Sequence, residues 1–357
     1  MAQSADDTRF KPARPAILVA GKDEPALAQG LLEMLIVETT QGLYRCEARF
    51  GNWGKVGSGM DFLYLDRKKL DFGKSVEIKL GDLSAFKGAI TGLDAHFQEG
   101  AAPELTVLAE DRLQDLRMTR RTRVFTDQSD ADVFRRVAQD HSLDPDVDIT
   151  GPTHKLLAQH NQSDLAFVRE RARSLDAELW VDGKKFFVRS RASRNGGNAT
   201  LAYGKQLLEL SVLADLSEQR SKVKVSGWDP AAKDALEHTA DQAVLGSELG
   251  NHVAGAEVLG RAFKDRTETL VHRVPTSSAE AKAMAEAHFK LRARRFVVGR
   301  GRAQADARLR VGSFVELSGI SQLFEGKYYL SEVRHLFDGE KGMRSEFVAE
   351  RPGIGRI

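Results

Sequence analysis

The sequence predicts an α+β protein, mainly β, in which two antiparallel β modules are separated by α/β material. Three observations carry that reading. Apolar and polar residues alternate between Met34 and Leu108. Helix-start signals and helical spacing take over past Leu116 and again at Ser277. Alternation returns at the end, from Phe314 to Glu350. The order is strands, helices, strands, a helix, strands, with no short internal repeat.

The opening residues are polar and contain Pro12 and Pro15, which reads as a flexible arm over 1–16. In the first β module Tyr44, Cys46, Ala48 and Phe50 alternate with Arg45, Glu47 and Arg49. Val76, Ile78 and Leu80 likewise alternate with Ser75, Glu77 and Lys79. A period of two puts one face in a core and the other in solvent. Gly51, Gly54, Gly57, Gly59, Gly73, Gly81, Gly88 and Gly92 punctuate these runs as turns or bulges.

Ser129 with Asp132 resembles a helix start, and Val133, Phe134, Val137 and Ala138 then share a face. A second helix follows Ser163, with Leu165, Val168, Ala172 and Leu175 in register. Leu179 to Val181 and Phe186 to Val188 read as a hairpin joined through Asp182-Gly183, as a primed turn with positive φ at both central residues. Arg191 to Thr200 reads as a loop. Leu207 to Val212 and Lys222 to Gly227 return to β character, and Asp229 to Ala256 lacks strong periodicity. Ser277 with Glu280 is another capping box, and the helix after it carries Ala281, Met284, Ala285, His288 and Leu291 on one side.

At 357 residues the chain suits two domains or three small ones. Its 53 basic against 51 acidic residues leave a net charge of +2, too little for a general nucleic-acid scavenger. The single Cys46 supplies neither an internal disulfide nor a multi-cysteine zinc site, and it points to a reducing compartment. The longest apolar run near the start is Ala16 to Ala20, far short of a signal core, and nothing approaches the ~18 residues of a membrane span. The expectation is a protein folded in the cytoplasm, which leaves the cell only as part of something larger.

The search for catalytic chemistry comes back empty, and no enzyme activity, metal or cofactor is expected. The glycine-rich stretch Gly51 to Gly59 has Val56 after Lys55 and a strand beyond, so it reads as a turn, not a phosphate loop. No HExxH pair or Gly-x-Ser-x-Gly elbow occurs, and Cys46 sits in the apolar phase of a strand. His154 and His160 flank a loop, while His335 faces the same way as Val333 and Phe337, as a buried or interface histidine would. One charge feature remains, the basic cluster between His288 and Arg310. Its candidate interface residues are Arg292, Arg294, Arg295, Arg300, Arg302, Arg308 and Arg310. Such a cluster can meet acidic groups of a neighbouring subunit or contact phosphates.

The last third carries a family resemblance. Gly312-Ser313-Phe314-Val315-Glu316-Leu317-Ser318-Gly319, then Gly326-Lys327-Tyr328-Tyr329-Leu330-Ser331-Glu332-Val333-Arg334-His335, then Ser345-Glu346-Phe347-Val348-Ala349-Glu350-Arg351, resembles the end of the phage late control D family. That family contains baseplate hub proteins and the N-terminal part of VgrG spike proteins. Gln159 to Arg169, with its Ser163-Asp164-Leu165-Ala166-Phe167 core, and Val223-Lys224-Val225-Ser226-Gly227 match two further family motifs.

The resemblance implies two antiparallel β-barrel hub domains with inserted α/β material. The first would span 17–116. An α/β insertion would cover 117–205, and the second barrel would combine 206–230 with 296–351. An α-rich segment over 231–295 and a tail at 352–357 complete the division. It further implies a structural baseplate hub of a phage tail or contractile injection particle. Such a hub is a homotrimer that meets an inner tube protein, a spike protein and other baseplate components, with no membrane contact and no nucleic-acid partner. VgrG chains continue into a spike, whereas this one stops at Ile357, so a separately encoded spike is expected. Two other readings stay open: a β-barrel polysaccharide-processing enzyme, and a nucleic-acid-binding module using 288–310.

Overall fold

The computed structural model describes residues 14–230, 232–271 and 273–356. The fold is mainly β and largely antiparallel, as expected. The largest sheet has thirteen strands. Seven lie in the order Leu31–Thr39, Arg45–Gly51, Glu104–Glu110, Leu83–His96, Ser75–Leu80, Ala16–Val19 and Lys22–Asp23. Six more run Leu207–Ala214, Val297–Gln304, Gly342–Arg351, Gly326–Asp338, Phe314–Ser318 and Asn198–Ala202.

The two groups do not form separate closed barrels among the described residues. They are one open sheet, joined where Leu31–Thr39 pairs antiparallel with Gly326–Asp338. The reason is strand length. Gly326–Asp338 outruns Phe314–Ser318, which pairs only with Gly326 to Tyr329. The rest of the same edge, Glu332 to Asp338, is left for Thr39 to Glu33. Its side chains accordingly enter two cores. Phe337, opposite Met343, packs with Ile36, Cys46, Phe50 and Ile78, while Val333, opposite Phe347, packs with Val297, Val315 and Tyr328. In the first core the alternation is the expected one: Cys46, Ala48 and Phe50 are buried, and burial pushes the Cys46 thiol up to about 12.

Strands Arg120–Ser129 and Thr153–Ser163 pair antiparallel, and each runs into a helix, Asp130–Asp140 and Asp164–Ser174. Ser129 and Asp132 form the expected capping box, and Ser163 caps the second helix by accepting from the Ala166 amide. The strand Arg120–Ser129 was not foreseen. The two strand–helix units also share the tripeptide Gln-Ser-Asp, at 128–130 and 162–164, a short repeat that the sequence reading missed because only three residues match. The hairpin at 177–190 is shifted by one residue from expectation. Asp182 pairs with Lys185, so the loop is Gly183-Lys184, with positive φ at Gly183. Only the first central residue then needs a left-handed conformation, and glycine supplies it.

Lys222–Asp229 departs from its expected place in the second β module. It lies between Asp234–Ala240 and Thr267–Leu270 in a separate three-stranded sheet, covered by helix Ser278–Ala293. The region without periodicity contains the strand Asp234–Ala240 and a 3-10 turn at Gln242–Glu248, and its end opens the helix Gly255–Phe263. Helix Ser278–Ala293 buries Ala281, Met284 and Ala285 as its spacing predicts, but His288 is only half-buried, Leu291 is 47% exposed, and Phe289, outside the expected face, is buried. Of the expected arm, residues 1–13 lie outside the described residues, while Arg14 donates to the carbonyl oxygens of Ala28 and Gln29. At the other end Gly353–Ile354 pairs with Val253–Ala254, and Ile357 lies outside the described residues.

Candidate functional site

Along Val297–Gln304, Val297, Gly299, Gly301 and Ala303 face the core and send Arg300 and Arg302 to the opposite face. Register aligns a row there across four strands: Glu209, Arg302, Glu346 and Arg334. Signs alternate along it, and Arg302 bonds Glu209 at 2.8 Å while Arg334 bonds Glu332 at 2.7 Å. This row lines an open groove of about 780 Å³ together with Thr39, Gln41, Arg191, Leu291 and Arg295.

The structure divides the seven candidate arginines. Arg292 pairs with Glu218 and Glu268. Arg294 is buried and binds Glu248 at 2.7 Å and Asp176 at 2.8 Å. Burial works against its charge, but those carboxylates outweigh it and hold its pKa above the ordinary value. Arg308 pairs with Asp306, and Arg310 with the buried Glu38. With Arg302 held by Glu209, five of the seven are neutralised inside the chain, where the sequence reading had expected acids from another subunit. Arg295 and Arg300 are exposed in the groove, and among the described residues neither has an ion pair.

A second concentration of charge is buried where the first core, the insertion and the second core meet. Arg194 donates to Glu178 Oε2, Tyr44 Oη and the Val311 carbonyl, each at 2.8 Å, and stacks 4.2 Å from the Trp180 ring centre. Tyr329 donates to the same Glu178. Arg191 lies 4.0 Å over the Tyr329 ring and donates to Glu350. Glu38 accepts from the Val311 amide, and burial raises its pKa against the pull of Arg310. Gly312 is required beside this knot: its φ is +93° and a Cβ there would lie 2.1 Å from Arg194 Nε. Sequence reasoning missed these residues, which lie far apart in the chain. The one local signal is Glu38, a carboxylate ending the apolar run Leu35-Ile36-Val37.

Two buried aspartates open the insertion helices. Asp130 accepts from Arg171 at 2.6 Å and is bonded to His154 at 2.8 Å. Asp164 is held by Arg121, Arg123 and His141. Carboxylates at helix N-termini are electrostatically favoured, and these have their charge and hydrogen bonds matched. His154, expected on a loop surface, is therefore buried. Among the described residues neither His141 nor His154 is hydrogen-bonded to a serine, threonine or cysteine side chain. Among the described residues no group of three or more His, Cys, Asp or Glu is placed to hold a metal, and no helix is long and apolar enough to cross a membrane.

The fold has counterparts among solved structures. The 43 kDa tail protein of prophage MuSo2 from Shewanella oneidensis superposes with a TM-score of 0.69 at 12% identity, over 95% of this chain and 98% of that one. A tail protein from Neisseria meningitidis MC58 gives 0.68 at 12% identity, over 96% and 97%. The E. coli c3393 protein, a component of the type VI secretion system, gives 0.58 at 11% identity, over 92% and 76%. The chain thus has the fold of these tail and secretion proteins. By sequence, the family model for the Alg8 N-terminal domain matches residues 56–338, and the chain belongs to that family. Its name differs from that of the family the C-terminal motifs resemble. No curated protein matches by sequence.

Proposed function

We propose that this chain is a structural, non-enzymatic baseplate hub of a phage tail or contractile injection particle, of late control D type. It would act as a homotrimer that joins a hexameric inner tube to a spike protein. It would be assembled in the cytoplasm and carried in the particle. The observation that supports this best is a tail-protein fold running over 95% of this chain and 98% of the tail protein, without a large insertion or loss. In this reading each half of the thirteen-stranded sheet is one hub module, so three chains offer six similar modules to the tube. The first covers 17–116 and the α/β insertion 117–205. Arg295 and Arg300 are the groove's contact residues for acidic groups of a neighbouring component, because their charge is not matched among the described residues. The test is a reconstruction of particles from the host encoding the chain. Three copies at the hub position are expected, and one or six would overturn the reading.

A further inference from the structure

The thirteen-stranded sheet branches at Gly326–Asp338 and has three end strands; Asn198–Ala202 is the short parallel partner of Phe314–Ser318, and the other two differ. One side stops in a charged two-residue stub, Lys22–Asp23, the kind of short edge that blocks further pairing. The other stops in Leu207–Ala214, eight residues with Glu209 as the only charge and no proline. Among the described residues its only strand partner is Val297–Gln304, with one further parallel bridge, from Leu207 at its start to Tyr203. The Asp215 amide donates to the Phe296 carbonyl at 3.0 Å. Counting back by two puts the amides of Leu213, Ser211 and Glu209 in the ladder and turns those of Leu210, Val212 and Ala214 to the open side. Leu208 and Leu213 are exposed there, and Leu210 and Val212 are only half-buried.

The other half of the molecule carries a complementary deficit. Trp53–Val56 and Gly59–Phe62 form a ribbon that has no third strand among the described residues. Trp53, Val56, Met60 and Phe62 are all exposed, and Phe62 stacks edge-on against Trp53 and the equally exposed Phe97. A two-stranded ribbon is marginal in water unless another surface completes it.

We propose that the Leu207–Ala214 edge of one copy accepts the Trp53–Phe62 ribbon of a second copy. The open amides gain a backbone partner, the exposed leucines meet the ribbon's aromatic side chains, and Lys55 approaches Glu209. Ribbon and edge belong to different halves, so the contact is head-to-tail, the kind that closes into a ring. The inference rests on the ring reading above and supplies its contact.

The experiment uses the full chain in sedimentation velocity over a concentration series, with hydrogen exchange on the associated form. Wild type should associate as a trimer and gain protection at Leu210, Val212 and Ala214. Val212→Pro removes an outward amide, and Met60→Lys spoils the ribbon; each alone should weaken association by about tenfold or more. Leu213→Lys replaces Val212→Pro if that variant loses its native circular dichroism. Mixed in equal amounts, the edge and ribbon variants should pair through their intact halves and stop at dimers. A mixture that stays monomeric overturns the proposal. So does Val212→Pro or its substitute associating like wild type, which would leave a ring built by some other contact. Wild type that stays monomeric also overturns the contact, whereas the hub reading is decided in the particle.

Discussion

His335 and Ser345 meet across neighbouring strands, Nδ1 to Oγ at 2.9 Å, and neither side chain is exposed. They sit where Gly326–Asp338 passes from one core to the other, and burial pushes the His335 imidazole down to about 4, with Arg310 adding to the shift. A histidine with a depressed folded pKa binds its proton more readily in the unfolded chain. It therefore lowers stability as pH falls from 6.5 towards 4, by about 3 kcal/mol in total. Asp111 acts in the opposite sense, because burial raises its carboxyl to about 7 and its contribution is lost as pH rises. The readout is therefore a difference: His335→Gln should gain on wild type by about 3 kcal/mol between pH 6.5 and 4 in denaturant titrations. Parallel pH profiles would refute it.

Phe347 covers Gly301 on the next strand, and a Cβ at Gly301 would lie 2.4 Å from the Phe347 ring. Phe347→Ala should cost about 3–5 kcal/mol, and Gly301→Ala more than about 1 kcal/mol despite the lower chain entropy of alanine. In the double variant the alanine methyl occupies part of the vacated space, so the two costs should sum to less than additive. Simple additivity in urea titrations would refute the contact.

Removing Arg194 would leave Glu178 and Tyr329 buried with one shared cation gone. Arg194→Met should cost about 3–5 kcal/mol. Arg194→Lys should recover little, because an ammonium cannot reach Glu178, Tyr44 and the Val311 carbonyl in one plane while lying on Trp180. Thermal unfolding of the two variants is the check, and near-wild-type stability of the lysine variant would contradict it.

Arg300 and Arg302 project from one strand face two residues apart, but among the described residues only Arg302 meets a carboxylate. Arg300→Glu should therefore impair particle assembly more than Arg302→Glu, with both monomers folded. If nucleic acid were the partner, both reversals would instead abolish salt-sensitive DNA binding by the purified wild type.

What was legible in the sequence was local. Ser129, Ser163 and Ser277 announced their helices because a cap needs only residues three apart, and Ser129→Ala or Ser163→Ala should each cost about 1 kcal/mol. Alternation identified the strand through Cys46, the strand Ser75–Leu80 and the strands from Phe314 onward because one face of each is buried. The strand Asp234–Ala240 escaped notice because it is short and mostly exposed. Leu291 was misjudged because helical spacing cannot tell the edge of a buried stripe from its centre. The basic cluster was visible as composition, but its acidic partners Glu38, Asp176, Glu218, Glu248 and Glu268 come from distant segments. Which arginines remain open is thus a property of the tertiary structure.

The pairing of Leu31–Thr39 with Gly326–Asp338 has a mechanical side. The two strands run antiparallel and side by side, from Thr39 opposite Glu332 to Glu33 opposite Asp338. A load that drags one half past the other along the strand direction pulls on all these ladder hydrogen bonds at once, in shear, instead of unzipping them singly. A recoil passed through a tail would then be borne by the whole seam, and the halves would yield together or not at all.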